Sequence, residues 1–92
     1  MLLSLRIILT NMKITYDKTM DAGYVYLSDK PVHKTIPVNE WLVVDVDSKE
    51  NLVGIEMLDV SIQLSNESLR DLKDKKLKAI PIEVLSCIPT LA

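Results

Sequence analysis

Between residues 41 and 61 the chain alternates between apolar and mixed positions. Leu42, Val44 and Val46 alternate with Val43, Asp45 and Asp47, and Val53, Ile55 and Met57 alternate with Leu52, Gly54, Glu56 and Leu58. A period of two is that of a half-buried strand, so the stretch predicts a β-hairpin with Ser48 to Asn51 as its loop. In that register Val46 faces Val53, Val44 faces Ile55 and Leu42 faces Met57, which gathers these side chains on one face. The opposite face carries Trp41, Val43, Asp45, Asp47, Gly54, Glu56 and Leu58. Acids mixed with apolar groups do not make a plain solvent face.

Upstream the same alternation predicts more strands. Met12, Ile14 and Tyr16 alternate with Lys13 and Thr15, followed by a polar turn from Asp17 to Asp21. Ala22 to Ser28 forms a second strand, with Val25 and Leu27 toward the core and Tyr24 and Tyr26 away from it. Ser28 to Pro31 turns the chain into a third strand, Val32 to Val38, where Val32, Ile36 and Val38 share a face with Lys34. Pro37 has no backbone donor, so this strand lies at an edge or ends there. None of the connections has the helical crossover that parallel strands need, so the sheet is antiparallel.

Beyond Ser61 the period changes. Ser65 or Asn66 suits a helix cap. Glu67 and Asp71 near its start and Lys73, Lys75, Lys76 and Lys78 near its end match the helix dipole. Leu69, Leu72, Leu77 and Ile80 form one apolar stripe, and Pro81 ends the helix. The predicted fold class is therefore α+β: an antiparallel β-meander of about five strands with a C-terminal helix packed on one face. Residues 82–92 permit either a strand or a helical turn starting at Pro81. So apolar a tail must pack on the domain or meet a partner.

At 92 residues the chain makes one small domain. Residues 1–11 form an N-terminal extension. Residues 12–92 form the domain, with 12–61 as the sheet and 62–92 as the helix and apolar tail. Apolar content of 48% and charged content of 26% exclude a disordered chain. The net charge of −2 offers no basic excess for nucleic acid. Cys87 is the only cysteine and His33 the only histidine, so neither an intramolecular disulfide nor a zinc site is expected, and a reducing, cytoplasmic setting fits. Met1 to Asn11 is greasy but too short to span a bilayer, and it lacks the basic start and cleavage site of a signal peptide. It reads as an upstream start or a loosely attached extension, with an added edge strand as the alternative. No membrane partner is expected.

Several of these residues carry a family resemblance. Met12-Lys13-Ile14-Thr15-Tyr16-Asp17, Asp21, Tyr24-Val25-Tyr26-Leu27, Val43-Val44-Asp45-Val46-Asp47 and the run from Val53 to Ser61 resemble the prokaryotic family called domain of unknown function 2283. The match spans about residues 12–61, and Val53-Gly54-Ile55-Glu56 and Leu58-Asp59-Val60-Ser61 are its sharpest parts. The resemblance implies a compact β-sheet domain with no established activity and no assigned catalytic residue. It loosely implies an antitoxin-like or partner-binding role. Two positions depart from the family pattern. The hairpin turn, which usually holds a glycine, has Glu50-Asn51, with Asn51 able to take the left-handed conformation. Position 23, usually a larger apolar residue, is Gly23, which should weaken the second strand.

The candidate chemistry is sparse. Asp45, Asp47 and Glu56 fall at calcium-loop spacing, but Lys49 and Glu50 occupy positions that need an oxygen ligand and a glycine, and strands flank the loop. The acids remain weak candidates for a surface cation site, set against a plainer role as acceptors for Tyr24, Tyr26, Lys13 or Thr15. Gly54 inside a strand calls for a neighbour over it, Tyr24 or Tyr26 before any ligand. His33 has no locatable catalytic partner, Cys87 has no basic neighbour, and the lysines from 73 to 78 suit a solvated helix face. No cofactor and no enzyme activity are expected. The leading expectation is a protein-interaction module, a homodimer or the antitoxin-like partner of a small toxin, with Trp41, Tyr24, Tyr26 and Leu58 as interface candidates. The alternative is a small-ligand or divalent-cation-binding domain using Asp45, Asp47 and Glu56.

Overall fold

The structure, a computed structural model, describes residues 13–88. The expectations for the N-terminal extension, for Met12 and for residues 89–92 lie outside the described residues. Five strands are present among those described: β1 (Lys13–Asp17), β2 (Ala22–Tyr26), β3 (Lys34–Pro37), β4 (Leu42–Val46) and β5 (Leu52–Met57). Three short helices follow them: α1 (Val60–Gln63), α2 (Asn66–Lys73) and α3 (Ile82–Leu85). Every strand pair is antiparallel, and the helices lie on one side, so the class is α+β.

The sheet is not a plain meander. Its order is β1-β2-β5-β4-β3, so β5 sits beside β2 and β3 lies at the edge. Pro37 explains the difference. In a plain meander β3 would be the middle strand with a neighbour on each side. A residue without an N–H is tolerated at an edge and not there. Residues 27–33 carry the chain across the end of the sheet. Leu27 N–H donates to the Val53 carbonyl and His33 N–H to the Val46 carbonyl, each at 2.8 Å.

The central hairpin keeps most of the expected register. Leu42 pairs with Met57, Val43 with Glu56, Val44 with Ile55 and Asp45 with Gly54. A bulge between Asp45 and Val46 then shifts the ladder, so Val46 pairs with Leu52 instead of Val53. The bulge goes with a tight loop closed by Asp47 and Asn51, in which Glu50 takes φ 65°. A left-handed residue closing a short turn is the usual place for glycine. The left-handed residue is thus Glu50, not Asn51.

Beneath the hairpin lies the core. Leu42, Val44, Ile55 and Met57 pack with Val25, Leu27 and Ile14 from the sheet and with Val60, Leu64, Leu72, Ile80, Val84 and Ile88 from the helical side. Val46 and Val53 are buried as well, whereas Val32 is half exposed and stands off the core. Ser65 caps α2, its Oγ accepting from Ser68 N–H at 3.2 Å. The helix stops at Lys73 and does not run on to Ile80. Lys75 adopts φ 58°, Lys75 N–H donates to the Leu72 carbonyl and Lys76 N–H to the Asp71 carbonyl. That pair of bonds is a Schellman stop. It turns the chain back, so that Ile80, Val84 and Ile88 reach the core from a second crossing. For residues 82–88 the open choice resolves as a helical turn entered from Pro81.

Gly23 has a use that its effect on strand propensity hides. A Cβ there would lie 2.8 Å from Leu72 Cδ2, and Leu72 is fully buried. The missing side chain is the space into which α2 packs.

Of the four left-handed residues with a Cβ among those described, Asp21, Glu50, Asp59 and Lys75, the exposed Glu50 and Lys75 stand where glycine is unstrained. Glu50→Gly and Lys75→Gly should each raise stability by about 1 kcal/mol, read as a higher denaturant midpoint with unchanged slope.

Candidate functional site

The face of the sheet turned away from the helices holds the mixed residues. Two cross-strand rows run over it. One is Thr15, Tyr24, Glu56, Val43 and Pro37, and the other is Lys13, Tyr26, Gly54, Asp45 and Thr35. Each row takes one residue from every strand. Tyr24 does not stay in its own row. Its ring crosses Gly54 on β5, and its hydroxyl donates a short hydrogen bond to Asp45 on β4. A Cβ at position 54 would overlap the phenol, so only glycine leaves room for this crossing. Asp45 also accepts from Thr35 Oγ1 at 2.6 Å, which ties in the edge strand.

The same tyrosine supports its neighbour. The rings of Tyr24 and Tyr26 lie 4.5 Å apart at 54°, within the range where tilted aromatic pairs attract. Lys13 Nζ sits 5.4 Å from the Tyr26 ring centre, a cation over an aromatic face. Burial first, and then the hydrogen bond to the Asp45 carboxylate, pushes the Tyr24 hydroxyl well above the ordinary phenol range. Tyr24 therefore remains a donor and does not act as a base. Tyr26 is 42% exposed, so the pair presents an anchored ring to solvent.

The acidic candidates separate into different tasks. Asp45 holds the tyrosine and threonine hydroxyls. Asp47 is only 5% exposed and turns into its own loop, accepting from Lys49 N–H and Asn51 N–H at 2.9 Å each. The Asn51 N–H, with Lys49 N–H behind it, holds the Asp47 carboxyl below the usual range despite its burial. Glu56 stands half-buried on the open face between Tyr24 and Val43. Among the described residues no three acidic, histidine or cysteine side chains converge as a metal site would need, and Asp45, Asp47 and Glu56 are not brought together.

Trp41 and Leu58 meet at the other end of β4 and β5, where Leu58 N–H donates to the Trp41 carbonyl at 2.7 Å. Trp41 is half-buried and packs against the core, so it is less open than Tyr26. His33 lies with Lys30, Asp47 and Lys49 along a cleft of about 240 Å³. Cys87 is half-buried and its Sγ donates to the Glu83 carbonyl.

A second cluster joins the sheet to the helices. Asp21 closes the β1–β2 turn at φ 52°. Its carbonyl accepts from Val60 N–H at 3.1 Å, and its carboxylate accepts from Ser61 N–H at 3.2 Å and Ser61 Oγ at 2.5 Å. Asp59, the residue that precedes α1, makes no side-chain cap. Asp21 thus caps α1 from another element. The Ser61 hydroxyl, above all, lowers the Asp21 carboxyl, which makes Asp21 a weak base and the pair a latch. Glu83 does the same for α2, accepting from Ser65 N–H at 2.7 Å. Burial alone would raise that carboxyl, but the hydrogen bonds from Ser65 outweigh it and hold it low.

The latch residues and the tyrosine crossing all fall within one matched segment. A family model described as "Protein of unknown function (DUF2283)" matches residues 13–61, just over half of the chain. The chain belongs to the DUF2283 family. No curated protein and no solved structure matches it significantly. The DUF2283 segment contains the whole sheet and ends at Ser61, the residue that Asp21 grips. Its Val53-Gly54-Ile55-Glu56 run has a physical reason in Tyr24, and Leu58-Asp59-Val60-Ser61 has one in Asp21.

Sequence reasoning found the tyrosine over Gly54 but missed Thr35 and the Asp21–Ser61 contact. Thr35 could have been found once β3 was set against β4, since it pairs with Asp45. No local pattern joins residues 21 and 61.

Gly54→Ala should cost several kcal/mol in the wild-type background and much less when Tyr24 is already alanine, a difference that a denaturant double-mutant cycle measures. Asp21 and Asp47 titrate below their unfolded values, so their contribution is present at neutral pH and is lost as pH falls through the folded values. Thermal midpoints should stay level down to about pH 5 and drop below about pH 4, and Asp47→Asn should flatten that drop. Midpoints that rise with acid would contradict this sign.

Proposed function

We propose that this DUF2283 protein is a non-catalytic protein-interaction module that docks through the open face of its sheet. The observation that carries the reading is the Tyr24–Tyr26 pair, fixed by Asp45 and presented on the side the helices do not cover. An aromatic side chain held in place before binding loses little entropy on docking, which is why such groups serve as anchors. The partner is a protein, either a second copy or a separate small toxin-like chain. No described helix is long and apolar enough to cross a membrane. A cytoplasmic setting accompanies this reading, on the strength of the lone Cys87.

The site chemistry favours binding over catalysis. Tyr24 donates to Asp45, and Ser61 donates to Asp21, whose carboxyl that same contact makes a weaker base. Each polar group near the tyrosines positions another side chain or stands open to a partner.

Tyr26→Ala should keep the fold, because Tyr26 is exposed, yet weaken association by tenfold or more, the scale of an interface anchor. Sedimentation velocity tests self-association, and capture from the native host followed by titration of the recovered partner tests the second form. A strictly monomeric protein with no partner, or binding indifferent to Tyr26→Ala, would count against the proposal.

A further inference from the structure

We infer that the open face is built to receive an arginine side chain from its protein partner. This rests on the interaction-module reading and adds the chemistry of what docks. The strand residues facing that side include the acids Asp17, Asp45 and Glu56 but one base, Lys13 at the sheet edge. Asp45 is occupied by Tyr24 and Thr35. Glu56 is different. It lies at the centre of its row, half-buried, with Tyr24 on one side and Val43 on the other. Among the described residues it receives no hydrogen bond and no ion pair, and its oxygens still reach solvent. Such a carboxylate has given up part of its hydration without gaining a partner. A cation arriving from outside restores what was lost.

The surroundings select the cation. Tyr24 and Tyr26 stand beside Glu56, and Lys13 over the Tyr26 ring shows that this ring takes a positive charge. A guanidinium is planar, forks onto a carboxylate and stacks on a phenol at once, whereas an ammonium does only one of these well. An acidic partner or a nucleic acid would meet like charge. A second copy apposed face to face would bring Glu56 and Asp45 toward their own counterparts, so a separate chain fits better than self-pairing.

The test uses the full-length protein, isotope-labelled, titrated with N-acetyl-arginine amide and followed by NMR. N-acetyl-citrulline amide serves as the neutral isostere. Saturable shifts at Tyr26 and Glu56 are expected with arginine in the millimolar range and not with citrulline. Glu56→Gln, nearly isosteric and on the surface, should weaken arginine binding roughly three- to five-fold, as for a partly exposed ion pair. Tyr26→Leu should weaken it as well. Equal shifts with citrulline, or an apparent Kd unchanged in Glu56→Gln, would overturn the inference. Partner capture that needs Tyr26 but survives Glu56→Gln, or a homodimer held by this face, would overturn it while leaving the interaction module standing. A partner bound through the helices would overturn both.

Discussion

The structure depends on a tyrosine that crosses a strand. Tyr24 starts on β2, passes over β5 and ends at Asp45 on β4. Backbone hydrogen bonds join only neighbours, but this side chain skips one strand, and Thr35 carries the link to the edge. Together with Lys13 over Tyr26, the side chains tie all five strands on the face that has no helical cover. Glycine at 54 is the condition for this. Its cost in strand stability is offset by the packing and the charge-assisted hydrogen bond it admits.

The opposite face is held by a different device. A single sheet with one apolar side needs a second layer. Here the layer is three short helices, too short to be stable by propensity alone. Two of their starts are held from afar. Asp21 caps α1 and Glu83 holds the Ser65 N–H at the start of α2, each a carboxylate from another element, while α3 is entered from Pro81 without a side-chain cap. The buried side chains Leu72, Val84 and Val60 then supply the packing. Gly23 belongs to this face as Gly54 belongs to the other: each is the space that one large side chain fills.

Much of the sheet was legible because period two and a buried face leave little choice of register. Leu42 against Met57 and Val44 against Ile55 follow from alternation alone. The bulge after Asp45 was not legible, because it depends on Glu50 taking a conformation its type disfavours. The strand order was missed although Pro37 marked an edge, since a meander places that strand in the middle. The helix was overextended for a related reason. The apolar stripe through Leu77 and Ile80 is real, but it belongs to two segments separated by the turn at Lys75. Of the site, Tyr24 over Gly54 was readable from the need to fill a gap. The Asp21–Ser61 latch joins residues 40 apart in sequence, and only the fold brings them together.

The most direct test of the open face as the interaction surface is a map of the bound state. The labelled protein is saturated with the partner recovered from its native host, and amide and ring signals are compared with the free form. The largest changes should fall on Tyr26, Glu56, Thr15 and Val43, with α2 and α3 little altered. Changes confined to α2 and α3, with the Tyr24 and Tyr26 rings untouched, would contradict it.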